Sequence, residues 1–248
     1  MDESQVKIVW HGIVVSVQPR STVWRYLIDN RTHRECGFNI FLKGNIEGDE
    51  NLISENHEGD YDFCIAVSEK QEQKLEIGIG DELQGTAWTK LYPETEFADF
   101  YRAGSLKKIK AGDYPIRPEV IRDEKNPRYD GTPIPRVFSD KYPGPAWKML
   151  PPPLEVYTWR GARMLSRACW KGKCFQCVWA NMANVTIEYN FDTNNVKHRF
   201  ETFCYGPKDC RFYKMGPARS VPYYRMSGVK DQGWLDEICI ENRSSLEE

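Results

Sequence analysis

Five cysteines lie within residues 169–210 of this 248-residue chain, and they are the residues best suited to chemistry. Cys174 and Cys177 form a C-x2-C pair, and Cys204 and Cys210 follow with five residues between them. Thiolate pairs brought together from two parts of a chain are common ligands of structural zinc. We therefore expect Cys174, Cys177, Cys204 and Cys210 to bind one zinc ion.

Iron is the alternative metal for the same region. Cys169, Cys174, Cys177 and Cys204 reproduce the C-x4-C-x2-C…C spacing of plant-type [2Fe–2S] ferredoxins, although bulky residues stand between the first three cysteines. A [4Fe–4S] cluster on Cys174, Cys177, Cys204 and Cys210 is chemically allowed as well. Thiol redox chemistry at the C-x2-C pair is a further alternative, but no thioredoxin-like βαβ pattern surrounds it.

A β-hairpin is predicted between the two cysteine pairs. Apolar and polar residues alternate over residues 185–191 and again over 196–202, and Asp192-Thr-Asn-Asn195 between them has turn chemistry. In an antiparallel hairpin centred on this turn, Cys177 lies opposite Cys210. The hairpin would therefore bring its two cysteine-bearing ends together.

The first 110 residues are predicted to form a small β-barrel. Five runs rich in aromatic and β-branched residues indicate strands, at residues 6–17, 24–28, 38–42, 63–67 and 83–88. The first run is long and is expected to bend at Gly12. Short strands of this number favour an OB-like barrel, although an SH3-like barrel would leave a similar pattern.

The predicted fold class is therefore mostly β, with three parts along the chain. Residues 1–110 form the OB-like five-stranded barrel, and residues 154–248 form a hairpin module with a four-cysteine metal site. Residues 111–153 contain ten of the fifteen prolines. Because proline fixes φ and lacks an N–H, we expect these residues to be an extended strap or linker.

Charge is divided unevenly along the chain. Residues 1–100 carry 9 basic and 19 acidic side chains, whereas residues 101–230 carry 24 basic and 11 acidic ones. Basic side chains interleaved with aromatic rings suit single-stranded nucleic acid. The candidate contacts are Lys107, Lys108, Arg160, Arg163, Trp170, Lys171, Lys173, Arg211, Tyr213 and Lys214. Alternatively, the basic part docks on the acidic barrel of the same chain.

The sequence Arg199-Phe-Glu-Thr-Phe-Cys-Tyr-Gly-Pro-Lys-Asp-Cys210, together with Cys174, Cys177 and Trp179, resembles a prokaryotic family of uncharacterised proteins. In that family an OB-like barrel precedes a four-cysteine module. The resemblance implies a shared architecture and no particular activity. The predicted architecture is also similar to that of acyl-CoA-associated proteins that pair a zinc ribbon with an OB-fold, in the opposite order.

These features lead to three functional hypotheses. The first is a non-enzymatic, metal-stabilised binding module for single-stranded nucleic acid. The second is an iron–sulfur electron carrier or an accessory subunit of a larger enzyme, and the third is a subunit whose protein partner covers the acidic residues of 43–62. No nucleophile elbow, Walker loop or zinc-protease motif supports an enzymatic activity.

The expected location is the cytoplasm. The chain has no signal-like start and no apolar run near the ~18 residues that span a bilayer, so no membrane association is expected. Clustered cysteines in a reducing compartment indicate metal binding more than disulfides.

Overall fold

The computed structural model describes residues 5–25, 31–47, 52–53, 59–113, 120–128, 130–136, 149–190, 195–206 and 210–216. These residues are mostly β, as predicted. The strands are β1 Lys7–Arg25, β2 Arg31–Glu47, β3 Phe63–Val67, β4 Glu82–Thr89, β5 Phe100–Lys110, β6 Ile121–Pro127, β7 Pro133–Arg136, β8 Arg163–Met164, β9 Ala180–Asn190 and β10 Asn195–Cys204. The helices are α1 Glu69–Leu75, α2 Leu154–Arg160, α3 Arg167–Lys171 and the 3-10 helix Lys173–Gln176.

Five strands close into a ring. β1 pairs antiparallel with both β2 and β4, β2 pairs with β3, and β4 pairs with β5. The ring is completed by β3 and β5, which are parallel and meet at Ile65 and Phe100. Aromatic side chains fill its interior, and Trp10, Phe38 and Phe63 are each at most 1% exposed.

The strand limits differ from the prediction. β1 contains residues 7–17 of the first predicted run and residues 24–25 of the second, whose residues 26–28 lie outside the described residues. β2 is longer than the predicted run at 38–42, and β5 was not predicted at all. Gly12 pairs regularly with Gly44, so no bulge lies there, and the register shifts lie between Val14 and Ser16 and between Pro19 and Ser21. Gly12 allows β1 and β2 to approach each other closely, because a Cβ atom there would lie 2.9 Å from the Lys43 carbonyl oxygen.

The predicted hairpin is present as β9 and β10. Its register is not the predicted one, since Cys204 lies opposite Ala180 and not opposite residue 183. Turn length and the choice of buried face set a register, and neither is visible in the alternation alone. β9 also pairs in parallel with the end of β1, from Thr22–Asn184 to Arg25–Ile187, so the hairpin extends the sheet of the ring.

The proline-rich residues are extended where they are described. β6 and β7 form a separate two-stranded sheet, and Pro151 and Pro152 are buried just before α2. Arg122 of β6 forms an ion pair with Glu155 of α2 at 2.5 Å. Within the described ranges, no helix has the length and apolar character needed to cross a bilayer.

Candidate metal centre

Residues 167–177, which we name the cysteine segment, lie on the outer face of the ring. Ser16 of β1, Phe41 of β2 and Cys64 of β3 are neighbours across the strands and share this face. The Phe175 ring packs against Phe41 with centroids 5.1 Å apart, and it stacks nearly parallel to Tyr61 at 5.6 Å. The segment therefore has an aromatic anchor in the ring.

Hydrogen bonds from β1 hold the same segment in place. The carbonyl oxygen of Phe175 accepts hydrogen bonds from Ser16 Oγ and from Gln18 Nε2, the latter at 2.6 Å. The indole N–H of Trp170, whose side chain is fully buried, donates to Gln18 Oε1 at 3.0 Å. Since buried polar groups are costly unless paired, these bonds specify one position for the segment.

The chain path brings Cys174 and Cys177 close to Cys204. Cys177 N–H donates to the Cys174 carbonyl oxygen at 3.0 Å, which makes a tight turn between the pair. Ala180 N–H then donates to the Cys177 carbonyl oxygen at 3.1 Å, and Ala180 is the register partner of Cys204. The C-x2-C pair thus precedes β9 at the same end where β10 finishes.

Cys210 lies on a stretch that returns beside residues 163–166. Ser166 N–H donates to the Lys214 carbonyl oxygen at 2.8 Å, and Leu165 and Met215 form an isolated bridge. Cys169 lies in α3, earlier in the cysteine segment. The predicted ligands and the alternative ligand Cys169 therefore come from three neighbouring stretches of chain.

Backbone N–H groups two residues after the cysteine act on two of the sulfurs. Gly206 N–H donates a hydrogen bond to Cys204 Sγ at 3.3 Å, which favours the thiolate and lowers the pKa of that thiol. The Trp179 backbone likewise lowers the pKa of the Cys177 thiol.

Burial opposes ionisation of these thiols and is the largest influence on them. It raises the pKa of Cys174 to about 12, with further increases from Cys204, Cys169 and Cys210. Burial likewise raises the pKa of Cys177 and Cys204, and in both cases Cys210 adds to the rise. The thiols lie near enough to disfavour each other's negative charge, so a cation among them would be needed to hold several as thiolates.

All seven cysteines in the described part of the chain are free thiols. Within those same residues, no three His, Cys, Asp or Glu side chains are grouped as they would be around a bound metal ion. Cys64 is buried against the cysteine segment, and Cys36 donates to the Arg20 carbonyl oxygen at 3.4 Å. Cys64 is therefore a core thiol, whereas Cys36 is half-buried.

Three of the candidate nucleic-acid contacts are inside the protein. Arg160, Arg163 and Trp170 are at most 4% exposed. Lys108 forms an ion pair with buried Asp81 at 2.7 Å. Nucleic acid has no access to the buried Arg160, Arg163 and Trp170, and the Lys108 charge is paired.

The other candidate contacts lie at the surface to varying extents. Tyr213 is half-buried, and its hydroxyl donates to the Met164 carbonyl oxygen at 2.8 Å. The exposed candidates are Lys107, Lys171, Lys173, Arg211 and Lys214. Four of these five belong to the cysteine segment or to the stretch that carries Cys210.

Sequence reasoning missed Ser16 and Gln18, which hold the cysteine segment in place. Both are buried polar residues on β1, a strand that was expected to stop near residue 17. The available signal was the presence of these two polar residues among the valines of β1. The sequence pattern does not show which residues they contact.

Comparisons with protein-family models, with curated proteins and with solved structures found no match to this chain. No family is therefore shown for this chain.

Proposed function

We propose that this protein is a non-enzymatic binding module in which one zinc ion, bound by Cys174, Cys177, Cys204 and Cys210, fastens the cysteine segment to the end of the β9–β10 hairpin. The observation that carries the proposal is the meeting of the cysteine-bearing stretches where β9 begins and β10 ends: the Cys174–Cys177 turn leads directly into Ala180, the register partner of Cys204. The Gly206 N–H donates to Cys204 Sγ at 3.3 Å and supports a negative charge on that sulfur.

The donor set fits the proposed metal. Four thiols are soft ligands of the kind that zinc and iron–sulfur clusters take, and bound zinc needs each sulfur at ~2.3 Å. Binding would draw the sulfurs inward and release their protons. Zinc would act as a cross-link between chain stretches, and in zinc-finger peptides such binding supplies about 10 kcal/mol.

Metal analysis of the protein purified without oxygen tests this proposal. We expect one zinc per chain, released by a thiol-blocking mercurial and detected with a chromophoric chelator. Cys204→Ser should abolish that zinc, whereas Cys64→Ser, a matched change at a buried core thiol, should leave it in place. Iron with absorbance near 400 nm would instead establish the iron–sulfur alternative, and protein with neither metal would refute both.

We further propose that the five-stranded ring is an OB-like barrel. Its strand order β1-β2-β3-β5-β4, closing back on β1, and the position of α1 between β3 and β4 both support this. OB-folds bind ligands across strands two and three. Here Phe175 and Trp170 pack against the outer side of Phe41, so a ligand would meet the outer surface of the cysteine segment instead.

Single-stranded nucleic acid is the ligand class that we propose for that surface. Lys171, Lys173, Arg211 and Lys214 are exposed there, and Arg211 lies over the Phe212 ring with its Cζ 4.8 Å from the centroid. Neither residues 167–177 nor residues 210–216 contain an acidic side chain. A basic surface with aromatic rings attracts phosphates and stacks bases.

Fluorescence anisotropy with a labelled oligonucleotide at low salt tests this ligand. We expect binding that weakens as salt rises, and that is lost when Lys173, Arg211 and Lys214 are together changed to Glu. Changing Lys7 and Lys74 to Glu, which are exposed on the ring and on α1, is the control for a general charge effect. Equal binding by both variants, or no binding by the wild type, would contradict the proposal.

A further inference from the structure

Arg163 is buried against one of the proposed ligands. It lies in β8 directly opposite Cys204 of β10, and it is 2% exposed. Its Nη2 atom is 3.6 Å from Cys204 Sγ, within hydrogen-bonding range for the large sulfur atom, and 2.7 Å from the Gly206 carbonyl oxygen. A permanent positive charge therefore sits beside this sulfur, in the interior of the protein.

The same guanidinium also contacts the stretch that carries Cys210. Its Cζ atom is 4.1 Å from the centroid of the Tyr213 ring. Tyr213 N–H donates to the Cys210 carbonyl oxygen at 3.0 Å, and the Tyr213 hydroxyl donates to the Met164 carbonyl oxygen at 2.8 Å. Arg163 thus connects the two stretches that hold Cys204 and Cys210.

The net charge of the proposed metal centre explains why a positive side chain beside Cys204 would matter. Four thiolates around a divalent ion carry a net charge of minus two, and a buried charge is costly unless it is paired. One adjacent guanidinium reduces that charge to minus one, and its N–H group stabilises the thiolate sulfur directly.

We propose that Arg163 is a positioning residue of the metal centre, which supplies the counter-charge that allows the cysteines to hold a divalent cation. This inference rests on the proposed function, because it assumes that the four cysteines bind a metal.

Arg160 is a matched control within the same chain. It is 4% exposed, its Nε donates to the Tyr205 carbonyl oxygen at 2.6 Å, and its Cζ lies 4.7 Å from the centroid of the Trp179 ring. Like Arg163, it is buried, donates to a neighbouring carbonyl oxygen and contacts an aromatic ring. The pair separates the effect of charge at the sulfur from the effect of losing a buried arginine.

The experiment measures zinc affinity of the full chain by competition with a chromophoric chelator. Residues that support metal ligands in this way are typically worth 10–100-fold in affinity. We expect Arg163→Gln to weaken zinc binding by about that factor, Arg163→Lys to recover part of the loss, and Arg160→Gln to leave the affinity near that of the wild type. Melting curves of the metal-free proteins report the folding cost of each change separately.

Cobalt provides a readout that a purely structural role would not change. In the Co²⁺-loaded protein, loss of the positive charge beside Cys204 Sγ raises the energy of the sulfur lone pairs. The sulfur-to-cobalt charge-transfer band should therefore move to lower energy in Arg163→Gln and stay in place in Arg160→Gln.

The outcomes separate this inference from the proposed function. A wild-type protein that binds neither zinc nor iron overturns both. A wild-type protein that binds zinc, with equal affinities in the two glutamine variants, overturns the role of Arg163 alone. If Arg163→Gln does not fold, Arg163→Lys and Arg160→Lys carry the same comparison, and equal affinities there overturn the role as well.

Discussion

Removal of the Phe175 ring should destabilise the whole protein, because this ring is an apolar anchor of the cysteine segment. The side chain is 5% exposed and packs against Phe41, Tyr61 and Trp170, with ring centroids 5.1, 5.6 and 5.4 Å away. Phe175→Ala removes these contacts and leaves a cavity. The backbone carbonyl that binds Ser16 and Gln18 is retained.

The expected loss follows from this burial. Truncation of a buried phenylalanine to alanine costs about 3–5 kcal/mol. For a chain of this size, 1 kcal/mol corresponds to about 2–4 °C in melting temperature, so Phe175→Ala should melt roughly 6–20 °C lower than the wild type. Met215→Ala is the control, since Met215 is 58% exposed and a surface change of this kind stays within about 0.5 kcal/mol.

Urea unfolding followed by tryptophan fluorescence and by far-ultraviolet circular dichroism measures this loss. Trp179 and Val185 pack in the same core cluster as Trp10 and Phe38 of the ring. We therefore expect the two signals to change together, in one transition. Equal midpoints for Phe175→Ala and Met215→Ala would refute the docking of the cysteine segment on the ring.

Three further predictions concern groups outside the cysteine segment. Burial raises the pKa of the Glu35 carboxyl above 4.5, so the stability that this group contributes is complete below pH 4.5 and is lost as pH rises through the folded-state pKa. Glu35→Gln should therefore be more stable than the wild type at pH 7 but not at pH 4. Equal urea midpoints of the two proteins across this range would contradict this prediction. Gly44→Ala should prevent folding or lower the melting temperature sharply, because the added Cβ would overlap the His11 carbonyl oxygen; an unchanged melting curve would refute the register of β1 and β2. Asp81→Ala should cost about 3 kcal/mol in chemical unfolding, because it removes a buried carboxylate that pairs with Lys108 and accepts hydrogen bonds from the Gly78 and Gly112 N–H groups; a loss below about 1 kcal/mol would show that these contacts add little.

Much of the β-structure could be predicted from local pattern. Alternation identified the β9–β10 hairpin, and the run at residues 63–67 matches β3 residue for residue. β5 was not predicted, because its lysines mask the alternation of apolar and polar residues, although Phe100 at its start is fully buried. The division of β1 into two strands was an error of the same kind, since polar residues that face the cysteine segment looked like a break.

The candidate site shows a similar limit. Composition and spacing selected Cys174, Cys177, Cys204 and Cys210, because thiol pairs at short intervals are visible in any sequence. The same reasoning placed Arg160, Arg163 and Trp170 on a nucleic-acid surface, and all three are buried. The residue type alone does not show whether a basic or aromatic side chain faces solvent or lies buried beside a sulfur atom.

The sequence by itself determined the mostly β character of this protein, the hairpin and the cysteines that we propose to share a metal, because these depend on residue types and short spacings. Only the tertiary structure decided that β9 joins β1, that Phe175 covers Phe41, and that Arg163 meets Cys204. These contacts join residues far apart in the chain. Their geometry depends on strand register and on which face is buried, and neither is written in a local pattern.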